Sequence, residues 1–549
     1  MEARACRSVG IDLGTTYSSL AYLDEQKRAH VVLDSAGKGA VPSVIFFDDD
    51  GEVIIGEIAV QNARVRADRV VQFVKDQIGY PHVRVIGGRP YRPEPLSAMI
   101  LAHLVREAQP QVGPIPAAVI TVPAYFTERR RRATRQAGAI AGLEVLDTLN
   151  EPMAAALAHG LHNEPREQVV AVYDLGGGTF DVTLVRVAPG VIEELVTEGD
   201  PHLGGKDWDQ CLMEHVLEDF RAAHGIRIDP EGSAEDLQYL QNLQLLCEEA
   251  KKELSRRPNK TIAFGARGIE HRVEVTRAEF EAMTAHLLGR TRLTTELALA
   301  DAGLRWDQVA RVVLVGGSTL MPMVRQMIHQ SSGRPPDTGI NPVVAVAQGA
   351  AIYAHLLESG RAPGSIRPAP LPRRPPRAAP EPSAAGAARA APEVRFVTAH
   401  GVGVKARKHG REVNVVIVPK NRAVPAETTR TFSAPAGARG LKVDVTQGDN
   451  PDVELVEVLG TLVVQGLPAD QPAGRPVDVT LSFDAQGRLH ARALYRPTGQ
   501  ALQLSLDVTG GLTDAEVAQA RQDLRDLGLA PDADRASDPD GPVGPDPGP

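Results

Sequence analysis

Apolar residues in the first 360 positions come in two spacings. Near-continuous runs such as 117–122 (AAVITV), 169–175 (VVAVYDL) and 309–315 (VARVVLV) read as strands buried on both faces. Between them, 96–107, 127–142 and 243–255 (LQLLCEEAKKELS) repeat their apolar positions at three and four, as amphipathic helices do. The stretch 70–79 (VVQFVKDQIG) has the same helical spacing, with Lys75 in its middle. Thr127 stands as a helix cap with Glu128 in the first turn. A short alanine-rich helix follows Asn150-Glu151-Pro152, one helix starts at Pro322, and an alanine- and glycine-rich helix fills 341–356. Strands alternating with helices predict α/β lobes. Beyond residue 393 the pattern turns to short, partly alternating runs at 414–418, 428–433, 441–445, 453–464, 477–483, 489–495 and 502–508, with a turn at 484–487. That predicts a β-sandwich of roughly 115 residues. One helix starts at Leu512-Thr513-Asp514 and stops at Gly528.

Two of the strand runs end in the same chemistry. Residues 169–185 (VVAVYDLGGGTFDVTLV) place Asp174, three glycines, Thr179 and Asp181 between two strands. Consecutive glycines let backbone N–H groups approach an anion, and a hydroxyl with two carboxylates suits a hydrated metal carried by a phosphate tail. Taken alone, such a hairpin could equally be an ordinary turn with a polar tip. Residues 9–22 (VGIDLGTTYSSLAY) repeat the arrangement with Asp12, Gly14, Thr15 and Thr16, so the unit is duplicated and two phosphate-facing hairpins are expected. Another glycine turn, Gly316-Gly317-Ser318, stands between a strand and a helix, where anions bind, and 190–207 ends in the loop Leu203-Gly204-Gly205-Lys206-Asp207. No G-x-x-x-x-G-K-[ST] occurs, which excludes a P-loop enzyme. Gly401-Val402-Gly403 lacks the third glycine and following helix of a dinucleotide fold.

Composition changes this picture little. Hydrophobic residues at 43% and charged residues at 23% of 549 are ordinary for a globular protein, and 549 residues allow three or four domains. A net charge of −9 gives no general affinity for nucleic acid or an anionic membrane. The basic run 129–132 falls on a helix start and reads as a solvated face. Cys6, Cys211 and Cys247 have no paired or metal-ligand spacing, MEARAC lacks an apolar signal core, and no window reaches the ~18 apolar residues of a membrane span. A soluble, cytoplasmic protein is expected. Residues 361–393, rich in proline, alanine and arginine, predict an extended linker, and 529–549 an acidic disordered tail.

The segments IDLGTTYS, ITVPAYF, LNEPMAAALAHG, YDLGGGTFDVTL, HLGGKDWD, CEEAKKELS, VLVGGST and NP…AVAQGAA together resemble the DnaK-type heat-shock chaperone family of the actin/sugar-kinase/heat-shock ATPase superfamily. The β-region resembles it more faintly, through Pro419-Lys420-Asn421, Thr431-Phe432-Ser433, Val445-Thr446-Gln447-Gly448, Phe483-Asp484 and Gly511-Leu512-Thr513. The resemblance implies a duplicated, two-lobed actin-like ATPase domain over 1–360 and a β-sandwich peptide-binding-like domain over 394–511, with a short helix at 512–528. It implies ATP and Mg²⁺ between the lobes, the metal held through water by Asp12 and Asp174. Gly14, Thr15, Thr16, Tyr17 and Gly176, Gly177, Gly178 with Thr179 would cradle the phosphates. Lys75 would place the attacking water, with Asp181, Thr179 and Glu151 assisting. Glu248, Lys251, Lys252 and Ser255 would meet ribose and adenine from one side, Gly316, Gly317 and Ser318 from the other, with Gly204 and Gly205 near the phosphates. Pro123, Arg131 and Glu151 match the family's relay from cleft to surface. Val402, Val404, Phe432, Leu441 and Val443 would line a peptide cleft, or else are sandwich core.

The departures are specific. The family's short acidic–leucine linker is replaced by the Pro/Ala/Arg stretch, so domain coupling is expected to be weak. Only one helix follows the sandwich, so no helical lid is expected and peptide release should be fast. Asp147 replaces an arginine used by J-domain partners, which removes that partner from expectation, whereas unfolded or extended polypeptides and a nucleotide-exchange factor stay within it. Leu320 replaces an adenine-stacking arginine, Val343-Val344 an acidic pair, and Arg407-Lys408 stand at an apolar arch over the peptide. Two readings follow: a slow, ATP-hydrolysing, lidless chaperone, or a nucleotide-switched module with one dedicated protein partner. A small-molecule kinase of the same superfamily fits poorly, because a β-sandwich has no place in it.

Overall fold

The computed structural model describes residues 8–358, 393–505 and 511–529, apart from 230, 466, 468–471 and 485–486. Of the expected linker at 361–393 and tail at 529–549, residues 361–392 and 530–549 lie outside the described residues. Two sheets with matching topology form the two lobes. In the first, Val9–Asp12 lies parallel to Ala117–Val122 and antiparallel to Tyr17–Leu23, with Glu144–Asn150 and Ala29–Val31 at the edges. In the second, Gln168–Leu175 lies parallel to Val309–Val315 and antiparallel to Phe180–Ala188, followed by Val191–Asp200. Each sheet thus starts from a hairpin that turns at an Asp–Gly–Thr corner, which is the duplication read from the sequence.

Small side chains let the lobes join. The helix Ala345–Glu358 carries Ala345, Ala347, Gly349, Ala350 and Ala351 on its inner faces. A Cβ on Gly349 would lie 1.7 Å from the Ala154 carbonyl oxygen, and one on Gly10 2.0 Å from the Ala351 nitrogen. The helix therefore packs backbone-close on both the first-lobe sheet and the helix Glu151–Ala158, fixing the hinge side of the cleft.

Several elements depart from their sequence reading. The 70–79 stretch is not one helix: Val70–Val71 pairs as a strand with Ile45–Phe47, and the helix is only Val74–Gln77. Thr127 occupies the cap position of Glu128–Ile140, but its hydroxyl makes no cap hydrogen bond. The first helical N–H, of Glu128, instead donates to Gln447 Oε1 at 3.1 Å, from the sandwich. A partner supplied from another domain replaces the local cap.

The β-region is a sandwich of two four-stranded sheets closed over Leu459, Leu462, Leu481 and Tyr495. A strand absent from the sequence reading, Val402–Lys408, is central to one sheet. Gly403 within it allows the approach: a Cβ there would lie 2.2 Å from the Val415 carbonyl oxygen. The expected strand at 453–464 starts late, at Glu457, because Asp452 accepts from the Glu454 N–H and holds Val453–Leu455 in a 3₁₀ turn.

The domains make direct contacts despite the replaced linker. Glu393–Arg395, at the end of the expected linker, adds a parallel strand to the second-lobe sheet beside Val191–Asp200, with Val394 buried and Phe396 packed on the same core. The helix Asp514–Asp526 lies on the first lobe. Leu512, Leu524 and Leu529 enter that lobe's core, and Gln136 exchanges two hydrogen bonds with the backbone of Leu512, at 2.6 and 3.2 Å. Lys420 joins Glu198 at 2.6 Å and Asp301 at 2.9 Å, Arg129 joins Glu457 at 2.7 Å, and His400 meets the Tyr125 carbonyl at 2.9 Å. The sandwich and the lobes are docked.

Candidate nucleotide site and family

Between the lobes lies a cavity of about 590 Å³, the size of a cofactor site. Asp12 and Asp174 end the first strand of each hairpin, so the two sheets aim both carboxylates into its floor. Asp181 pairs with Asp174 across the second hairpin. Lys75 Nζ is 2.6 Å from Glu151 Oε1, both side chains under 10% exposed. Burial works against the Lys75 charge, but Glu151, Asp12 and Asp174 outweigh it and raise the lysine's pKa. Burial, then Glu151, pushes Asp12 and Asp181 up to about 7, and Asp174 well above its ordinary value with added repulsion from Asp181 and Asp12. Asp181 Oδ1 is buried with no hydrogen-bond partner. Asp12 and Asp174 line the cavity, and burial and repulsion from neighbouring acids disfavour their charge, so the two would suit a cation arriving with a ligand.

The glycine loops meet where phosphates would lie. The Gly176 N–H donates to the Thr179 carbonyl at 3.1 Å, closing the turn. Gly205 and Lys206 N–H groups donate to the Gly176 and Gly177 carbonyls at 2.9 Å, and Ser318 Oγ donates to Gly176 at 2.8 Å. A Cβ on Gly177 would lie 2.4 Å from Thr16 Oγ1, and one on Gly204 2.4 Å from the Gly178 nitrogen. Only glycine fits at this junction of the three loops.

At the other end of the cavity, Lys252 Nζ reaches the Tyr17 hydroxyl at 2.7 Å and Glu248 Oε1 at 2.6 Å, linking the lobes. Lys251 is held by Asp209 and the Gly205 carbonyl, both at 2.7 Å. Ser255, Gly316, Gly317 and Ser318 line the cavity, as do Leu320, Val343 and Val344. Sequence reasoning missed Arg256, Met321, Asn341 and Lys38 in this lining, and missed Arg130 altogether. The Arg130 guanidinium lies 3.7 Å from the Phe126 ring centroid and donates to the Lys75 carbonyl at 2.8 Å, supporting the lysine's short helix. The signal was available only as one arginine in the basic run assigned to solvent.

Arg131 lies away from the cleft. It donates to the Phe126 and Ala124 carbonyls at 3.2 and 3.0 Å and lines a polar cavity between the first lobe and the sandwich. Of the five apolar residues expected at a peptide cleft, Val402 and Val404 are wholly buried in the sandwich core, while Phe432, Leu441 and Val443 are half-buried against it.

A family profile described as Hsp70 protein matches residues 8–85, 71–364 and 397–537. The chain belongs to the Hsp70 family. It is 35% identical to the "Chaperone protein DnaK" of Thermosipho africanus over 526 residues, covering 94% of this chain and 82% of that one. It is 34% identical to the DnaK of Thermosipho melanesiensis over 94% of this chain and 83% of that one, and 35% identical to that of Thermotoga neapolitana over the same shares. Hsp70 membership carries a two-lobed actin-like ATPase, a β-sandwich and ATP-dependent chaperone function. Among the described residues no helix is long and apolar enough to cross a membrane.

Proposed function

We propose that this Hsp70 member hydrolyses ATP slowly and uses the cleavage to control its grip on extended, unfolded polypeptide segments. The observation that supports it most is the convergence of Asp12, Asp174 and the Lys75–Glu151 pair in one cleft between the lobes, with Asp181 paired to Asp174 across the second hairpin. Lys75 orients the attacking water and offsets charge building on the γ-phosphoryl group, and Glu151 holds the ammonium in place. Asp181, with its free oxygen, is the proton acceptor or water orienter. Backbone N–H groups of 15–16 and 177–179 bind the phosphates, and Leu320, Met321, Val343 and Val344 form the base wall. A Mg²⁺ arriving with the nucleotide is held by Asp12 and Asp174 through water and neutralises phosphate charge. Polypeptide binds on the sandwich beside Phe432, Leu441 and Val443, without a helical lid, so its release is fast. Such a protein works in the cytoplasm, and a nucleotide-exchange factor fits its cleft chemistry.

One observation favours the second reading, a nucleotide-switched module for a dedicated protein partner. Val402 and Val404 are core residues, which leaves fewer apolar side chains to meet varied clients. Single-turnover hydrolysis on the intact chain separates the two. Acceleration by several unrelated unfolded peptides supports the chaperone, and turnover indifferent to every peptide supports the module.

A further inference from the structure

Asp76 and Lys206 have no part in the roles above, yet they face each other across the cleft. Asp76 is carried by the Val74–Gln77 helix of the first lobe, and Lys206 by the first turn of Gly205–His224 of the second. Their side chains form an ion pair, 21% and 28% exposed. Each end is tied to a phosphate-facing loop. Thr15 Oγ1 donates to the other Asp76 oxygen at 3.1 Å, and the Lys206 N–H donates to the Gly177 carbonyl at 2.9 Å. Gly178 fits between them: a Cβ there would lie 2.7 Å from Asp76 Oδ1 and 2.8 Å from Thr15 Cγ2. The pair therefore sits over the loops of both hairpins, and the lobes cannot part at this end without breaking it.

We propose that the Asp76–Lys206 pair is a cross-lobe clasp that sets how often the cleft opens at its phosphate end, and hence how fast bound nucleotide leaves. The role in release rests on the cleft being a nucleotide site; the clasp itself does not. A half-buried pair of this kind changes an opening equilibrium modestly, so the expected effect is about fivefold rather than a thousandfold.

The test uses the full chain with Lys206→Met, Asp76→Asn, Asp76→Lys, Lys206→Asp and the double variant Asp76→Lys/Lys206→Asp. Asparagine keeps an acceptor for Thr15 and loses only the charge. Two readouts are taken: release of preloaded fluorescent ADP into excess ATP, and hydrogen exchange of the 176–178 and 204–206 amides without nucleotide. Lys206→Met and Asp76→Asn should each speed release about fivefold and raise exchange. The two single reversals, which oppose like charges, should do so more strongly, and the double variant should release nucleotide more slowly than either. Unchanged release and exchange in Lys206→Met, or a double variant no slower than the single reversals, overturns the clasp. If the wild type retains no ADP, the nucleotide reading fails, and the exchange data alone still judge the clasp.

Discussion

A lysine inside a ten-residue apolar stretch carries no message until its partner is known. Lys75 is paired with Glu151, 76 positions away, and the two are desolvated together beside three acids. Lys75→Ala is expected to lower single-turnover hydrolysis by about 10²-fold or more while nucleotide still binds, since it removes charge stabilisation made chiefly in the transition state. Equal loss of nucleotide affinity would instead make Lys75 a binding residue. Asp147 gives a pH prediction. Burial raises its carboxyl to about 6, against hydrogen bonds from the Thr148 N–H and the Tyr353 hydroxyl. The folded state holds this proton more tightly than the unfolded chain, so the residue's contribution falls as pH rises through about 6. Asp147→Asn should therefore be the more stable protein at pH 7.5, with the gap in urea midpoint closing toward pH 5. A gap independent of pH would contradict it. At this scale the sequence revealed the residues that stand in glycine-rich turns, because spacing alone marks them. Arg130 and the Asp76–Lys206 pair were illegible, since their meaning lies in contacts 55 and 130 positions away.

Elements were legible where the period was strong and local. The duplicated hairpins, the helices Pro93–Val112 and Ala234–Leu254 and most sandwich strands follow their apolar pattern. Those that depend on distant partners were not. Glu393–Arg395 is three residues long and becomes a strand only because the edge of the second-lobe sheet accepts it. The Asp514–Asp526 helix starts where the sequence reading put it, with Thr513 and Glu516 forming a capping box there, but its destination was not legible. It rests on the first lobe through Leu524, 2% exposed. Leu524→Ala should weaken that docking by about 2–5 kcal/mol, seen as faster amide exchange across 514–526 with little change in the second-lobe sheet. Unaltered exchange there would show that the helix holds by its own propensity or by Gln136 alone.

Across the whole molecule, direct contacts dock the sandwich on the lobes that hold the cleft. Arg130 and Arg131 are neighbours on one helix; the first supports the short helix of Lys75, the second lines the interdomain cavity, and the helix N-terminus ends on Gln447. In the coupled-chaperone reading, a movement of Lys75 would reach the sandwich through this one helix. These contacts were not legible, because an extended proline-rich linker over 361–393 says nothing of where the residues after it pack. Lys420 bridges Glu198 and Asp301, and Arg129 holds Glu457. The double variant Lys420→Ala/Arg129→Ala should leave nucleotide binding intact and uncouple the halves. The decisive measurement is single-turnover ATP hydrolysis with and without a panel of unfolded peptides, in the wild type and in this double variant. Peptides should accelerate the wild type and have little effect on the variant; a wild type that hydrolyses ATP at one rate whatever peptide is present would contradict a coupled chaperone.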